Sequence, residues 1–209
     1  TMISSWNWAI STLDLSHNLK LETLYCSQQL MTNLDLSNHH FLKDLDCSSG
    51  SLETLNLTGD TSLMYLDCSG RKISNLDVKE CPELLSLTCE GLKMTTLDLA
   101  HNTKLVSIIC DFSDLTSLDL SKNLALGSLA CNHCQLTTLD LSHNTALGIL
   151  NCGANYFTSL DLTKNTGMID LTNLSPYNIR LFINDMPSLY KVCVWVVPFP
   201  PTGLTIDTS

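Results

Sequence analysis

At 209 residues the chain has room for one or two ordinary domains. Hydrophobic residues make up 44% and charged residues only 15%, against roughly 25% charged in typical domains, so much of the chain must face inward or carry neutral polar groups. A formal net charge of −10 and a pI near 4.8 argue against nucleic acid and anionic membrane surfaces as partners and suit a basic one.

The chain opens at Thr1 and Met2 without a basic stretch followed by an apolar one, so no targeting signal is visible. Such a start is expected of a mature or trimmed product. Ile3 and Ile10 fall in register with Leu24 and Met31, so the chain begins inside a repeating unit.

From there one period runs on. Cys26, Cys47, Cys68, Cys89, Cys110, Cys131 and Cys152 stand 21 residues apart. Leu13, Leu34, Leu55, Leu76, Leu97, Leu118, Leu139 and Leu160 form a column, and two residues on Leu15, Leu36, Leu57, Val78, Leu99, Leu120, Leu141 and Leu162 form another. A third runs through Leu24, Leu45, Leu66, Leu87, Ile108, Leu129, Leu150 and Leu171. A fixed period of this length with L-x-x-L-x-L-x-x-N/C-x-L is the leucine-rich-repeat pattern. The unit from Leu147 shows it in Leu150, Cys152, Asn155 and Phe157. Each unit holds a second L-x-L, such as Leu139-Asp140-Leu141. Alternation over such short stretches predicts strands whose i and i+2 side chains point inward.

The expected fold is therefore an α/β-type repeat, mostly β: a right-handed leucine-rich-repeat solenoid of about nine 21-residue coils with short parallel strands and little helix. No coil can bury its leucines alone, so stability comes from neighbour stacking. Asn18, Asn102, Asn123, Asn144 and Asn165 share a column suited to satisfying turn backbone groups, with His39, Asp60 and Cys81 replacing asparagine. Cys134 takes the matching place in the other half-coil, one period before Asn155. Towards the end Asn173 stands where cysteine is expected, then Val194, and Cys193 lies off the row. Pro198, Pro200 and Pro201 end strand pairing. The expected division is residues 1–172 as solenoid and 173–209 as the last irregular repeats and a C-terminal cap.

The units LDLSKN (118–123), LDLSHNTAL (139–147) and L-x-C-S (24–27, 45–48, 66–69) resemble bacterial 21-residue leucine-rich repeats with a cysteine ladder, of the internalin J-like kind and of a Bacteroidetes group of surface proteins. The tail from Lys191 to Trp195, followed by Pro198 to Pro201, is similar to the ends of that Bacteroidetes group. The resemblance implies a secreted or surface-anchored bacterial protein that binds others.

Few residues suggest chemistry. Neighbouring cysteines of the row are near enough for disulfides, but parallel Cβ vectors suit the required dihedral poorly. One thiol per coil offers no tetrahedral metal cluster. The row reads as a reduced structural ladder of small hydrophobes. Cys131-Asn132-His133-Cys134 is a lone C-x-x-C, which lacks the second ligand pair a zinc site needs. Asp14, Asp35, Asp77, Asp98, Asp119, Asp140 and Asp161 share one outward column, broken only by Asn56. Stacked like charges are expected to titrate as a coupled set with raised pKa values. Two readings of the row stand: carboxylates bonded to flanking hydroxyls such as Thr12, Thr96, Thr138 and Ser142, or weak calcium sites. His17, His101 and His143 share an exposed column, at least two coils apart.

On the strand before each cysteine the outward positions vary. Tyr25, Asp44, Asp46, Tyr65, Asp67, Glu90, Ile109, Asp111 and Phe112 are the expected partner-binding residues, since aromatics anchor interfaces and acids suit a basic partner. The functional expectation is a non-catalytic, monomeric scaffold, extracellular or at the bacterial cell surface. It binds a protein or glycan ligand without nucleic acid, cofactor, metal or direct membrane insertion. The alternative is a spacer or stalk presenting another domain. Ice binding is a third reading, opposed by the aspartate row.

Overall fold

The structure is a computed structural model that describes residues 1–4, 10–168 and 181–193. Its strands are β1 (Met2–Ser4), β2 (Thr23–Tyr25), β3 (Asn33–Asp35), β4 (Asp44–Asp46), β5 (Thr54–Asn56), β6 (Tyr65–Asp67), β7 (Ser86–Thr88), β8 (Ser107–Ile109), β9 (Ser128–Ala130), β10 (Ile149–Asn151), β11 (Ser159–Asp161), β12 (Leu181–Phe182) and β13 (Lys191–Cys193). One 3₁₀ turn, Thr166–Met168, is the only helical element among the described residues.

The main sheet is parallel and nine-stranded, in the order β1-β2-β4-β6-β7-β8-β9-β10-β12. Ile3 pairs with Leu24, Leu24 with Leu45, Leu45 with Leu66, and so on to Leu150. Seven 21-residue turns thus separate Ile3 from Leu150. The next rung departs from the sequence expectation. Leu150 pairs with Leu181, 31 residues on, rather than with Leu171. Ile183, which is buried, takes the place expected of Asn173 and ends the sulfur row. Leu171, Asn173, Val194 and the proline-rich tail lie outside the described residues.

The second L-x-L of each coil forms assigned strands only as the pairs β3–β5 and β11–β13. In β11–β13 Asp161 faces Cys193, which places that thiol in the aspartate column, off the ladder.

Six inward columns make the core, one of them the Leu13–Leu160 row, in which Leu34, Leu76, Leu97, Leu118, Leu139 and Leu160 are buried. Leu21, Leu42, Leu63, Leu84, Leu105, Leu126 and Leu147 are all 1% exposed or less. The strand leucines, the cysteines and the row from Met31 through Leu52, Ile73, Met94, Leu115 and Leu136 to Phe157 are buried with them. The row from Leu15 to Leu162 closes the other side. Each buried leucine contributes about 1.5–3 kcal/mol, so a one-residue slip of register, which would turn a rung outward, is strongly disfavoured.

The turns hold by amide bonds between coils. Asn123 Nδ2 donates to Leu99 O at 3.2 Å and to Asn102 O at 2.9 Å. Asn102, Asn144 and Asn165 repeat the pattern on the coil before each of them. Buried carbonyls must find donors, and from Asn102 to Asn165 one asparagine per coil supplies them.

Candidate recognition face

The two outward positions of the main sheet form straight rows. One runs Met2, Thr23, Asp44, Tyr65, Ser86, Ser107, Ser128 and Ile149; the other runs Ser4, Tyr25, Asp46, Asp67, Thr88, Ile109, Ala130 and Asn151. Tyr25, Asp44, Asp46, Tyr65, Asp67 and Ile109 therefore share one face. Glu90, Asp111 and Phe112 lie just beyond it, in the turns after β7 and β8.

These positions are not equally free. Tyr25 Oη donates to Asp44 Oδ2 at 2.5 Å, one coil on. That bond holds the phenol above its ordinary pKa, and it makes Tyr25 part of the face's frame. Asp111 accepts the backbone N–H of Asn132 at 2.6 Å and both oxygens receive its side-chain amide at 3.2 Å. Asn132 Oδ1 in turn accepts Gly153 N–H at 2.8 Å. Asp46 Oδ1 accepts the N–H and hydroxyl of Ser48, and Asp67 Oδ1 the N–H of Ser69. Tyr65 and Phe112 remain largely exposed, at 47% and 62%.

Beside the face lies a groove of about 540 Å³, with Gln28, Ser49, Gly70, Arg71, Glu90, Gly91 and Phe112 among its walls. It opens where the turn changes shape. Gln28, Gly91, Phe112, His133 and Ala154 share one column and all have positive φ, whereas Ser49 and Gly70 of that column do not. The Glu90 carboxyl is pushed up by burial and then by its neighbours Asp111 and Asp67. Phe112 stacks on His133 with centroids 4.7 Å apart and planes 9° from parallel. On the other side of this pair is a recess of about 240 Å³ lined by Asp111, Asn132, Asn151, Phe182 and Asn184 among others. The stack is thus a ridge between two hollows.

The sequence set the outward rows on one side but gave no sign of the Phe112–His133 stack or of the serine and glycine wall. The column that makes the groove shows only Gly91 as a glycine at positive φ, the residue type that would announce a left-handed turn.

The aspartate row on the second L-x-L corrects one expectation. Asp14, Asp35, Asp77, Asp98, Asp119, Asp140 and Asp161 each accept through Oδ1 the backbone N–H two residues on, at 2.9–3.1 Å. Asn56 does the same with Thr58 at 3.1 Å. Ser16, Ser37, Ser121, Ser142 and Thr163 thus meet these carboxylates through their backbone N–H, and Ser142 Oγ lies instead 3.2 Å from His143 Nδ1. Six of the pKa values are lowered, not raised: those of Asp14, Asp35, Asp77, Asp119, Asp140 and Asp161. For five of them the leading cause is that backbone bond, and for Asp77 it is Lys79, so local donors outweigh repulsion along the row. Among the described residues no three His, Cys, Asp or Glu side chains are grouped to hold a metal ion.

All ten cysteines are free thiols, and the seven of the row are at most 1% exposed. Burial pushes the Cys26 and Cys152 thiols up to about 12 and raises the others of the row as well. For Cys110 the first cause is instead the neighbouring Cys134 side chain. No helix among the described residues is long and apolar enough to cross a membrane.

Several solved structures are similar to the chain. The functional domain of InlJ from Listeria monocytogenes, which includes a cysteine ladder, matches at 27% identity and a TM-score of 0.64, over 93% of this chain and 48% of that one. The internalin InlF from Listeria monocytogenes strain 4b F2365 matches at 15% identity and a TM-score of 0.54, over 92% of this chain and 62% of that one. The leucine-rich repeat domain of APL1B gives 16% identity and a TM-score of 0.54, over 98% and 74%. The last two share the fold alone. No family model and no curated protein matches the chain. The chain spans about half the length of the InlJ domain, and nothing in these matches bears on the Bacteroidetes group. With its 21-residue period, parallel rungs and inward file of thiols, the chain is a leucine-rich-repeat solenoid carrying a cysteine ladder, similar to the functional domain of InlJ.

Proposed function

We propose that the chain is a non-catalytic recognition scaffold, secreted or held at a bacterial surface, that binds a protein partner through the outward rows of its main sheet and the adjoining groove. One observation carries the reading. The aspartate column repeats one residue to hold the turns, whereas the rows on the main sheet carry mixed residue types, Thr23, Asp44 and Tyr65 before the run Ser86, Ser107 and Ser128 in one and Tyr25, Asp46, Asp67, Thr88 and Ile109 in the other. Exposed Tyr65 and Phe112 are suitable anchors. The carboxylates of Asp44, Asp46, Asp67 and Glu90 beside them, with the net charge of −10, favour a partner with a basic patch. The likeness to a listerial internalin domain supports an extracellular setting.

The test is a cross-linking pull-down from host extracellular material with the full chain, against a Tyr65→Ala/Phe112→Ala control. A protein retained by the native chain and lost by the folded control supports the reading. A glycan retained in its place would change the partner class. If nothing is retained, the rod is a spacer that presents another domain.

A further inference from the structure

The C-x-x-C at Cys131–Cys134 invites the expectation that its two thiols belong together. The structure sets them apart. Cys131 lies in the inward row between Cys110 and Cys152. The chain then turns through His133 at a φ of 52°, and Cys134 re-enters the core from the far side of that turn.

Cys134 occupies the column of Ser113 and Asn155, and the three side chains do the same thing. Each points a donor at the carbonyl of the ladder cysteine one coil back. Ser113 Oγ meets Cys89 O at 3.3 Å, Cys134 Sγ meets Cys110 O at 3.4 Å, and Asn155 Nδ2 meets Cys131 O at 2.8 Å. Only at 134 is that donor a thiol, and Cys110 Sγ in turn leans towards the coil of Cys134, where it meets Ala130 O at 3.4 Å. The parallel Cβ vectors that disfavour bonds along the ladder belong to in-register residues, and Cys134 stands three residues off that register.

We propose that Cys134 is the redox partner of Cys110 rather than of Cys131, so that a low-molecular-weight disulfide such as oxidised glutathione converts the pair into a covalent tie between two successive coils. Cys134 is the less deeply buried of the two thiols, which makes it the first that the disulfide reaches and so the first nucleophile. Its thiolate attacks one glutathione sulfur, breaking the S–S bond and releasing one glutathione thiolate. Deprotonated Cys110 then attacks the Cys134 sulfur of the mixed disulfide and releases the second glutathione. Two thiol protons and two electrons leave the protein, and one glutathione disulfide becomes two glutathiones. Cys134 is 4% exposed and Cys110 fully buried, so the reaction waits on opening of the turn at 131–134 and is slow.

The experiment treats reduced, folded full-length chain with oxidised glutathione, quenches with an alkylating agent, and maps disulfides by tandem mass spectrometry. The expected result is loss of two mass units and a Cys110–Cys134 link that persists in Cys131→Ser and disappears in Cys134→Ser. Serine is tolerated in this column, as Ser113 shows, so the second variant keeps its coil. Oxidised native protein should also unfold at higher urea than reduced protein, a difference absent from Cys134→Ser. A Cys131–Cys134 link, a stable glutathione adduct on Cys134 that Cys110 never resolves, or no oxidation after full equilibration would each overturn the proposal.

Discussion

Asp60 Oδ1 accepts the backbone N–H of His39 at 2.9 Å, reaching one coil back within a single column. That column carries asparagine further along, where a side-chain amide donates to two carbonyls. An ionised aspartate cannot donate, and Leu36 O is met instead by His39 Nδ1 at 2.7 Å. Asp60 Oδ2 and His39 Nε2 are left buried without protein partners. Burial pushes the Asp60 carboxyl up to about 7, with His39 and His40 pulling it down and Asp35 adding to the rise.

Replacing Asp60 by asparagine should therefore stabilise the fold in a pH-dependent way. A carboxyl whose folded pKa lies above its unfolded value favours folding most at low pH. That contribution falls as pH rises from about 4 to about 7 and is flat beyond. Asp60→Asn removes the slope. The expected gain is roughly 1–3 kcal/mol at pH 8 and little at pH 4, read from urea midpoints at both pH values. An equal shift at both would refute the account.

The aspartate row has the opposite sign. Its lowered pKa values give stability that is present above the ordinary carboxylate range and lost as pH falls through it. Asp140→Asn should keep the bond to Ser142 N–H, as Asn56 keeps its own to Thr58, and should move the acid-unfolding midpoint to lower pH. Asp140→Ala should lose stability at neutral pH. Circular dichroism during acid titration checks both.

Asn123 serves two carbonyls, each of which also has a backbone donor. Asn123→Ala is expected to cost about 1–3 kcal/mol. Asn123→Asp should cost more at pH 8 than at pH 4, because it recreates the Asp60 situation in the middle of the rod. Denaturation of the two variants at both pH values decides it, and an alanine cost below half a unit of that scale would show the ladder to be redundant.

Gly91 has a φ of 72°, and a Cβ there would lie 2.7 Å from Gly70 O. Gly91→Ala should destabilise by roughly 1–3 kcal/mol, whereas Gly50→Ala, where a Cβ meets nothing within 4 Å, should change the melting temperature little.

The fold was legible because the inward side chains are single apolar residues whose spacing equals one turn. Leu24, Leu45 and Leu66 could be aligned by counting, and the registers agree. Counting failed past Leu150, whose partner is Leu181, 31 residues on, and not the residue that the 21-residue beat names. It also gave the aspartates the wrong titration, because repulsion along the row is visible in a sequence and a backbone donor two residues away is visible only in a turn's geometry. Of the face, the outward alternation was readable. That Tyr25 is tied to Asp44, and Asp111 to Asn132, was not, since both bonds cross from one coil to the next.

The asparagine ties begin at Asn102 and reach back no further than Val78 and Cys81. Below them, His39 and Asp60 hold their coils by other means. In an array whose units touch only their neighbours, such a seam separates two cooperative blocks. Denaturant should peel the windings before Cys81 while those from Asn102 to Asn165 stay wound, and hydrogen exchange should resolve two tiers of amide protection along one continuous sheet.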